Sequence, residues 1–86
     1  MTDIRHDEDL HRFSLPADDA DAVLEYQLFQ KEDGGRAVDF TRTWVPPAAR
    51  GKGLAERLVR EGLRWAKSED LNIQASCWYV AKFLRS

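Results

Sequence analysis

Val45-Pro46-Pro47-Ala48-Ala49-Arg50-Gly51-Lys52-Gly53-Leu54-Ala55-Glu56-Arg57-Leu58-Val59 is the stretch where the chain changes its period, and the fold follows from that change. Proline donates no hydrogen bond to a sheet ladder, so Pro46 and Pro47 stop whatever strand precedes them. After Gly53 the apolar residues Leu54, Leu58, Val59, Leu63 and Ala66 recur at helical spacing, with Glu56, Arg57, Arg60, Glu61, Arg64 and Lys67 on the opposite face. This spacing predicts an amphipathic helix over residues 53–69.

Upstream of the prolines the period is two. AVLEYQLFQ, residues 22–30, alternates Leu24, Tyr26 and Leu28 with Val23, Glu25, Gln27 and Phe29, the pattern of a strand covered on one side. KEDGGR reads as a hairpin turn, because Gly34 and Gly35 accept the positive φ that tight hairpins need, so AVDFTRTWV, residues 37–45, should return antiparallel. Leu10 to Leu15 gives an earlier strand with Phe13 and Leu15 on one face. It leaves through a turn in which Asp18, Asp19 and Asp21 read as solvated residues.

Downstream of the helix, Leu71, Ile73, Ala75 and Cys77 alternate as a fourth strand. The tail forms a short closing helix with Val80, Phe83 and Leu84 turned inward. Strand, strand, strand, helix, strand is an α+β arrangement: an antiparallel meander, then a helical crossover to a strand parallel to the third. Residues 1–9 are polar without periodicity and read as a loose, flexible N-terminus, leaving residues 10–86 as a single domain.

Composition narrows the function classes. The chain has 86 residues, 43% hydrophobic and 33% charged, which suits one layer of helix on a sheet. A net charge of −2 argues against nonspecific nucleic-acid binding. No apolar run nears the roughly 18 residues that span a bilayer, and the start lacks the apolar stretch of a secretory signal, so a cytoplasmic location without membrane contact is expected. The one cysteine, Cys77, forms no internal disulfide. His6 and His11 lack metal-ligand spacing, and no metal site is expected. Trp65 and Trp78 read as core or partly exposed packing residues rather than base-stacking platforms.

The turn Arg50 to Ala55 carries the chemistry. A helix start offers unpaired backbone N–H groups and the positive end of the helix dipole. Basic residues there cost stability unless an anion is bound, yet Arg50 and Lys52 occupy the place where Asp or Glu is usual. Gly51 and Gly53 let backbone amides approach a ligand closely. The bland alternative is a plain turn with two solvated cations.

The spacing Arg50-x-x-Gly53-x-Ala55, between strand and helix, resembles the Gln/Arg-x-x-Gly-x-Gly/Ala motif of the GNAT superfamily of acyl-CoA-dependent N-acetyltransferases. The context VPPAARGKGLAERLV is similar to a branch of very short, single-domain members, with a likeness running from about Tyr26 to the C-terminus. That resemblance implies a minimal GNAT-like fold, acetyl-CoA as cofactor and a primary amine as acceptor. It implies that amides of Gly51, Lys52, Gly53, Leu54 and Ala55 hold the pyrophosphate, with charge from Arg50 and Lys52. It also implies that the backbone of Trp44 and Val45 pairs with the pantetheine arm, in a cleft where the third and fourth strands splay.

The resembling branch also carries a cysteine where this chain has Cys77. Cys77 is either acetylated as a covalent intermediate or a small residue lining the cleft; Tyr79 either protonates the departing thiolate or packs under the last helix. Where the branch reads His-Thr-Glu-Val-Pro, this chain reads Arg42-Thr43-Trp44-Val45-Pro46, so neither ionisable position carries over. The base is then Glu25, Asp39, a water chain or nothing, and Arg42 is free to attract an acidic acceptor or a CoA phosphate. The branch's short length implies an open acceptor site suited to a protein or peptide lysine or a polyamine. The alternatives are a non-catalytic acyl-CoA-binding or sensing module and a small interaction protein. A monomer or weak homodimer is expected, since open strand edges can pair.

Overall fold

His6 shows where local pattern and three-dimensional structure part. In the computed structural model, which describes residues 3–17 and 20–84, Arg5–Asp7 form a strand, β1, where a loose N-terminus was expected. It pairs antiparallel with β2, Arg12–Leu15, in the register His6 to Phe13. The reason is a long-range one. The His6 ring stacks on Phe13 at 4.0 Å, meets Trp65 edge-on at 4.7 Å, and shares a 2.6 Å hydrogen bond with the Tyr26 hydroxyl. A histidine that behaves as an aromatic core residue leaves no apolar signature in a short polar segment. The connection closes with Asp7 Oδ1 accepting from the Leu10 amide at 3.1 Å.

β3, Ala22–Gln30, and β4, Arg36–Trp44, form the long hairpin, and β5, Asn72–Ala75, lies parallel to β4 at the sheet edge. The order β1-β2-β3-β4-β5 is the expected meander and crossover with β1 added. Of the expected turn after the first strand, Asp18 and Asp19 lie outside the described residues, and Asp21 is exposed.

Helix α1, Leu54–Ser68, covers one face of this sheet. Its Leu58, Val59 and Ala66 are fully buried against Phe13, Leu24, Tyr26 and Phe40. Gly62 stands at the closest approach: a Cβ there would come within 2.8 Å of Leu24 Cδ2 and 3.0 Å of the Phe40 ring. Arg60 pairs with Glu56 and Arg64 with Glu61 on the solvent face.

Leu28 departs from its expected place beside Leu24 and Tyr26, being 41% exposed near the turn of the hairpin. The closing helix α2, Trp78–Leu84, buries Val80 completely and Phe83 partly. Leu84, expected to turn inward, is exposed, and Trp78 is 73% exposed, far more than a packing residue. Trp65, by contrast, packs in the aromatic cluster around Tyr26. Among the described residues, no helix is long and apolar enough to cross a membrane.

Candidate functional site

The opening at the sheet's C-terminal edge is made by β4 and β5 parting. Their pairing ends at Phe40 and Ala75, while β4 continues to Trp44. Two local features separate them. On β4, Arg42 pairs with Glu25 and Phe40 with Tyr26, so Thr41 is an extra, bulged residue whose hydroxyl donates to the Glu25 carbonyl at 3.3 Å. Just past the end of β5, Ser76 donates twice to the Asp39 carboxylate of β4, from its amide at 2.7 Å and from its hydroxyl at 2.7 Å. The next amide, Cys77, donates to the Phe40 carbonyl at 3.0 Å, and the chain then turns into α2.

Cys77 caps that helix. Its carbonyl accepts from the Ala81 amide at 3.0 Å, and its sulfur lies 3.5 Å from the Thr43 hydroxyl across the cleft. Burial alone would push the thiol up. The Val80 amide, the Thr43 hydroxyl and the Tyr79 and Thr43 backbone outweigh it, and the Cys77 thiol sits below its ordinary value. The sulfur is therefore more readily thiolate than a free cysteine.

Tyr79, two residues on, forms a wall of a cavity of about 250 Å³ completed by Val45, Ala49, Arg50, Gly51, Gly53, Leu54 and Ala55. Burial, then the nearby Glu56 carboxylate, raises the Tyr79 phenol above its ordinary value, so the hydroxyl keeps its proton at neutral pH. Its ring meets Phe83 at 5.3 Å, and Lys82 Nζ stands 5.2 Å from it and 5.6 Å from the Trp78 ring.

The other wall is the glycine turn. Gly51 and Gly53 have φ of 86° and 77°, and nothing lies within 4 Å of a Cβ built on either. Gly53, at the N-cap of α1, has no side chain to accept from the first-turn amides. That combination of open space, an uncapped helix start and Arg50 suits an oxygen-rich anion such as a pyrophosphate. Arg50 itself is tethered, its Nε donating to the Val45 carbonyl at 3.1 Å.

The structure thus brings Val45, Arg50, Gly51, Gly53, Leu54, Ala55 and Tyr79 around one cavity, with Cys77 and Thr43 at the neighbouring strand opening. Trp44 is not among the cavity's lining but stands opposite Val23 on the sheet face away from α1, and Lys52 is exposed outside the lining. Glu25 and Arg42 form an exposed ion pair at 3.4 Å, so Arg42 is already partnered. Of the two carboxylates named as bases, each therefore has a partner: Arg42 for Glu25, Ser76 for Asp39. Thr43 had no signal in the sequence, because its contact with Cys77 exists only through the β4 to β5 pairing. Lys82 was legible in principle, standing three residues after Tyr79 and four after Trp78 on one helix face. Among the described residues, no group of His, Cys, Asp and Glu could hold a metal ion.

Parallel strands that part beside a glycine turn opening a helix are the arrangement the resemblance implied, and residues 12–86 match the family model described as GCN5-related N-acetyl-transferase. The chain belongs to that family and is an N-acetyltransferase, of a class whose members use acetyl-CoA. It is 34% identical over 84 residues to Protein NATD1 of Mus musculus, covering 95% of this chain and 73% of that one. The Homo sapiens NATD1 is 33% identical over 95% of this chain and 71% of its own length, and that of Danio rerio 32% over 95% and 73%.

Proposed function

We propose that this chain binds acetyl-CoA at the Arg50–Ala55 turn and transfers the acetyl group to a primary amine, a protein or peptide lysine or a polyamine. The observation that carries the reading is the cavity shared by the uncapped glycine turn and Tyr79, which joins an anion site to a protonated phenol. Bound acetyl-CoA supplies an activated acetyl thioester. The first-turn amides and Arg50 hold the pyrophosphate, and the outer end of β4 offers backbone groups to the pantetheine arm. The Val45 carbonyl already accepts from Arg50, so that pairing draws mainly on the other backbone groups of Trp44 and Val45.

Tyr79 donates its hydroxyl proton to the departing thiolate as the carbon–sulfur bond breaks, the role its raised phenol fits. The Cys77 thiolate attacks the acetyl carbonyl carbon first; the neutral acceptor amine then attacks the acetyl-Cys77 thioester, Cys77 leaves as thiolate, and the amine's proton returns to the Tyr79 phenolate. The hydrogen bonds that hold the thiol low support this covalent route over a lining role. Glu25 is held by Arg42 and Asp39 by Ser76, so neither of these two could serve direct attack without leaving its partner.

An isothermal titration with acetyl-CoA, followed by mass spectrometry of the same sample, tests the reading. Saturable binding with an added acetyl group on Cys77 is the expected result. Binding without that mass change, together with full transfer by Cys77→Ala, excludes the covalent route. No binding rules out the cofactor site.

A further inference from the structure

We propose that Asp39 is a positioning residue: by holding both donors of Ser76 it ends the β4–β5 pairing and aims Cys77 at Thr43 across the cleft, and it does not act as the proton acceptor of the reaction. The significance of this aim rests on the cofactor reading above, but the latch itself is a matter of geometry. Asp39 pairs in register with Gln74, two residues before Ser76, on the sheet face away from α1. Continued pairing past Ala75 would fix the Ser76 amide by the strand ladder and leave only its hydroxyl free to turn. Instead both point to one carboxylate, each at 2.7 Å. Charge-assisted bonds of this length are the stronger class, and a bidentate pair fixes orientation as well as distance.

The consequences run along three successive residues. With Ser76 fixed, the Cys77 amide reaches the Phe40 carbonyl at 3.0 Å, its carbonyl opens α2 through Ala81 at 3.0 Å, and its sulfur comes to 3.5 Å from the Thr43 hydroxyl. The bulge at Thr41 carries Thr43 to the α1 side of the sheet, opposite Leu24. Neither strand alone sets that meeting: the bulge orients Thr43 and the latch orients Cys77. Each oxygen of the Asp39 carboxylate is engaged by Ser76, so turning it toward an incoming amine would break the latch.

Because Cys77 is the only cysteine, the pH dependence of alkylation by iodoacetamide reads its thiol directly in the full chain, without any cofactor. Asp39→Ala and Asp39→Asn remove the same charge, but only Asn keeps the latch, its carbonyl accepting from the Ser76 amide and its amide donating to the hydroxyl. Alkylation at pH 7 should be roughly threefold or more slower in Asp39→Ala than in Asp39→Asn, with the profile displaced to higher pH. Coincident profiles for the two variants would overturn the proposal. Ser76→Ala, which deletes one of the two bonds at an exposed residue, should shift the profile upward by a smaller amount, and serves if Asp39→Ala does not fold; an unmoved Ser76→Ala profile then counts against the latch. Acetyl transfer should follow alkylation, lost in Asp39→Ala and rescued in Asp39→Asn. Loss of transfer in Asp39→Asn with normal alkylation would make Asp39 a base and refute its positioning role. Failure of the wild-type chain to bind acetyl-CoA would sink the cofactor reading and leave the alkylation comparison standing.

Discussion

Gly53 opens α1 at φ 77° and ψ 14°, a left-handed backbone that costs most side chains about 1–2 kcal/mol but that Asn and Asp tolerate. Those two are isosteric, so they separate charge from shape at the proposed pyrophosphate site. Gly53→Asn and Gly53→Asp should have similar melting temperatures. Acetyl-CoA affinity should fall further in the Asp variant, by about tenfold or more, since like charges a few Å apart near a protein surface repel by on the order of 1–4 kcal/mol. Equal affinities in titration would place the phosphates elsewhere. At Tyr79, replacement by Phe keeps the ring against Phe83 and removes the proton; kcat should fall about 100-fold or more with little change in KM. An unchanged kcat in steady-state assay would return Tyr79 to a packing role. These residues were legible because they sit in one short segment or beside one strand end. Thr43 was not, because its partner is 34 positions away and only the sheet register brings them together.

At the scale of elements, the strongest periodicities were the best guides. The helix read over residues 53–69 is α1 at Leu54–Ser68, and the strand read over 22–30 is β3. What failed was burial at element ends. Leu28 and Leu84 keep the right period but are exposed near the ends of β3 and α2, and period carries no information on where a neighbour stops. Gly62 makes the converse point: its sequence context is that of a helix interior, where Gly is usually unfavourable by about 1 kcal/mol relative to Ala. Here the missing side chain lets α1 approach Leu24 and Phe40. Gly62→Ala gains helix propensity yet overpacks a buried contact, at a cost of about 1–3 kcal/mol. The net expectation is destabilisation, read as a lower urea midpoint with an unchanged slope. A raised midpoint would mean that the helix and sheet separate freely at this contact.

Across the whole molecule, β1 is joined to the core through His6, whose ring lies against Phe13, Tyr26 and Trp65 from three different elements. Burial lowers the His6 value below 6.5 despite opposition from Glu8, Glu61, Asp7 and Glu69, the carboxylates that face it. A histidine depressed in the fold binds its proton more readily when unfolded, so stability rises with pH wherever the unfolded state holds more protons. His6 therefore contributes fully above pH 6.5, and its contribution is lost as pH falls from there through the folded value. The neutral ring shares the 2.6 Å hydrogen bond with the Tyr26 hydroxyl, whose own value burial lifts to about 12, so the phenol stays protonated throughout this range. His6→Gln keeps a polar partner for that hydroxyl and does not titrate. Thermal melts at pH 8, 7, 6 and 5 should show a steeper loss of melting temperature below pH 6.5 in the wild type than in His6→Gln, with the two curves parallel above it. Parallel curves down to pH 5 would mean that the protonated ring is accommodated in place, and the acid sensitivity of the fold would then have to come from the carboxylates.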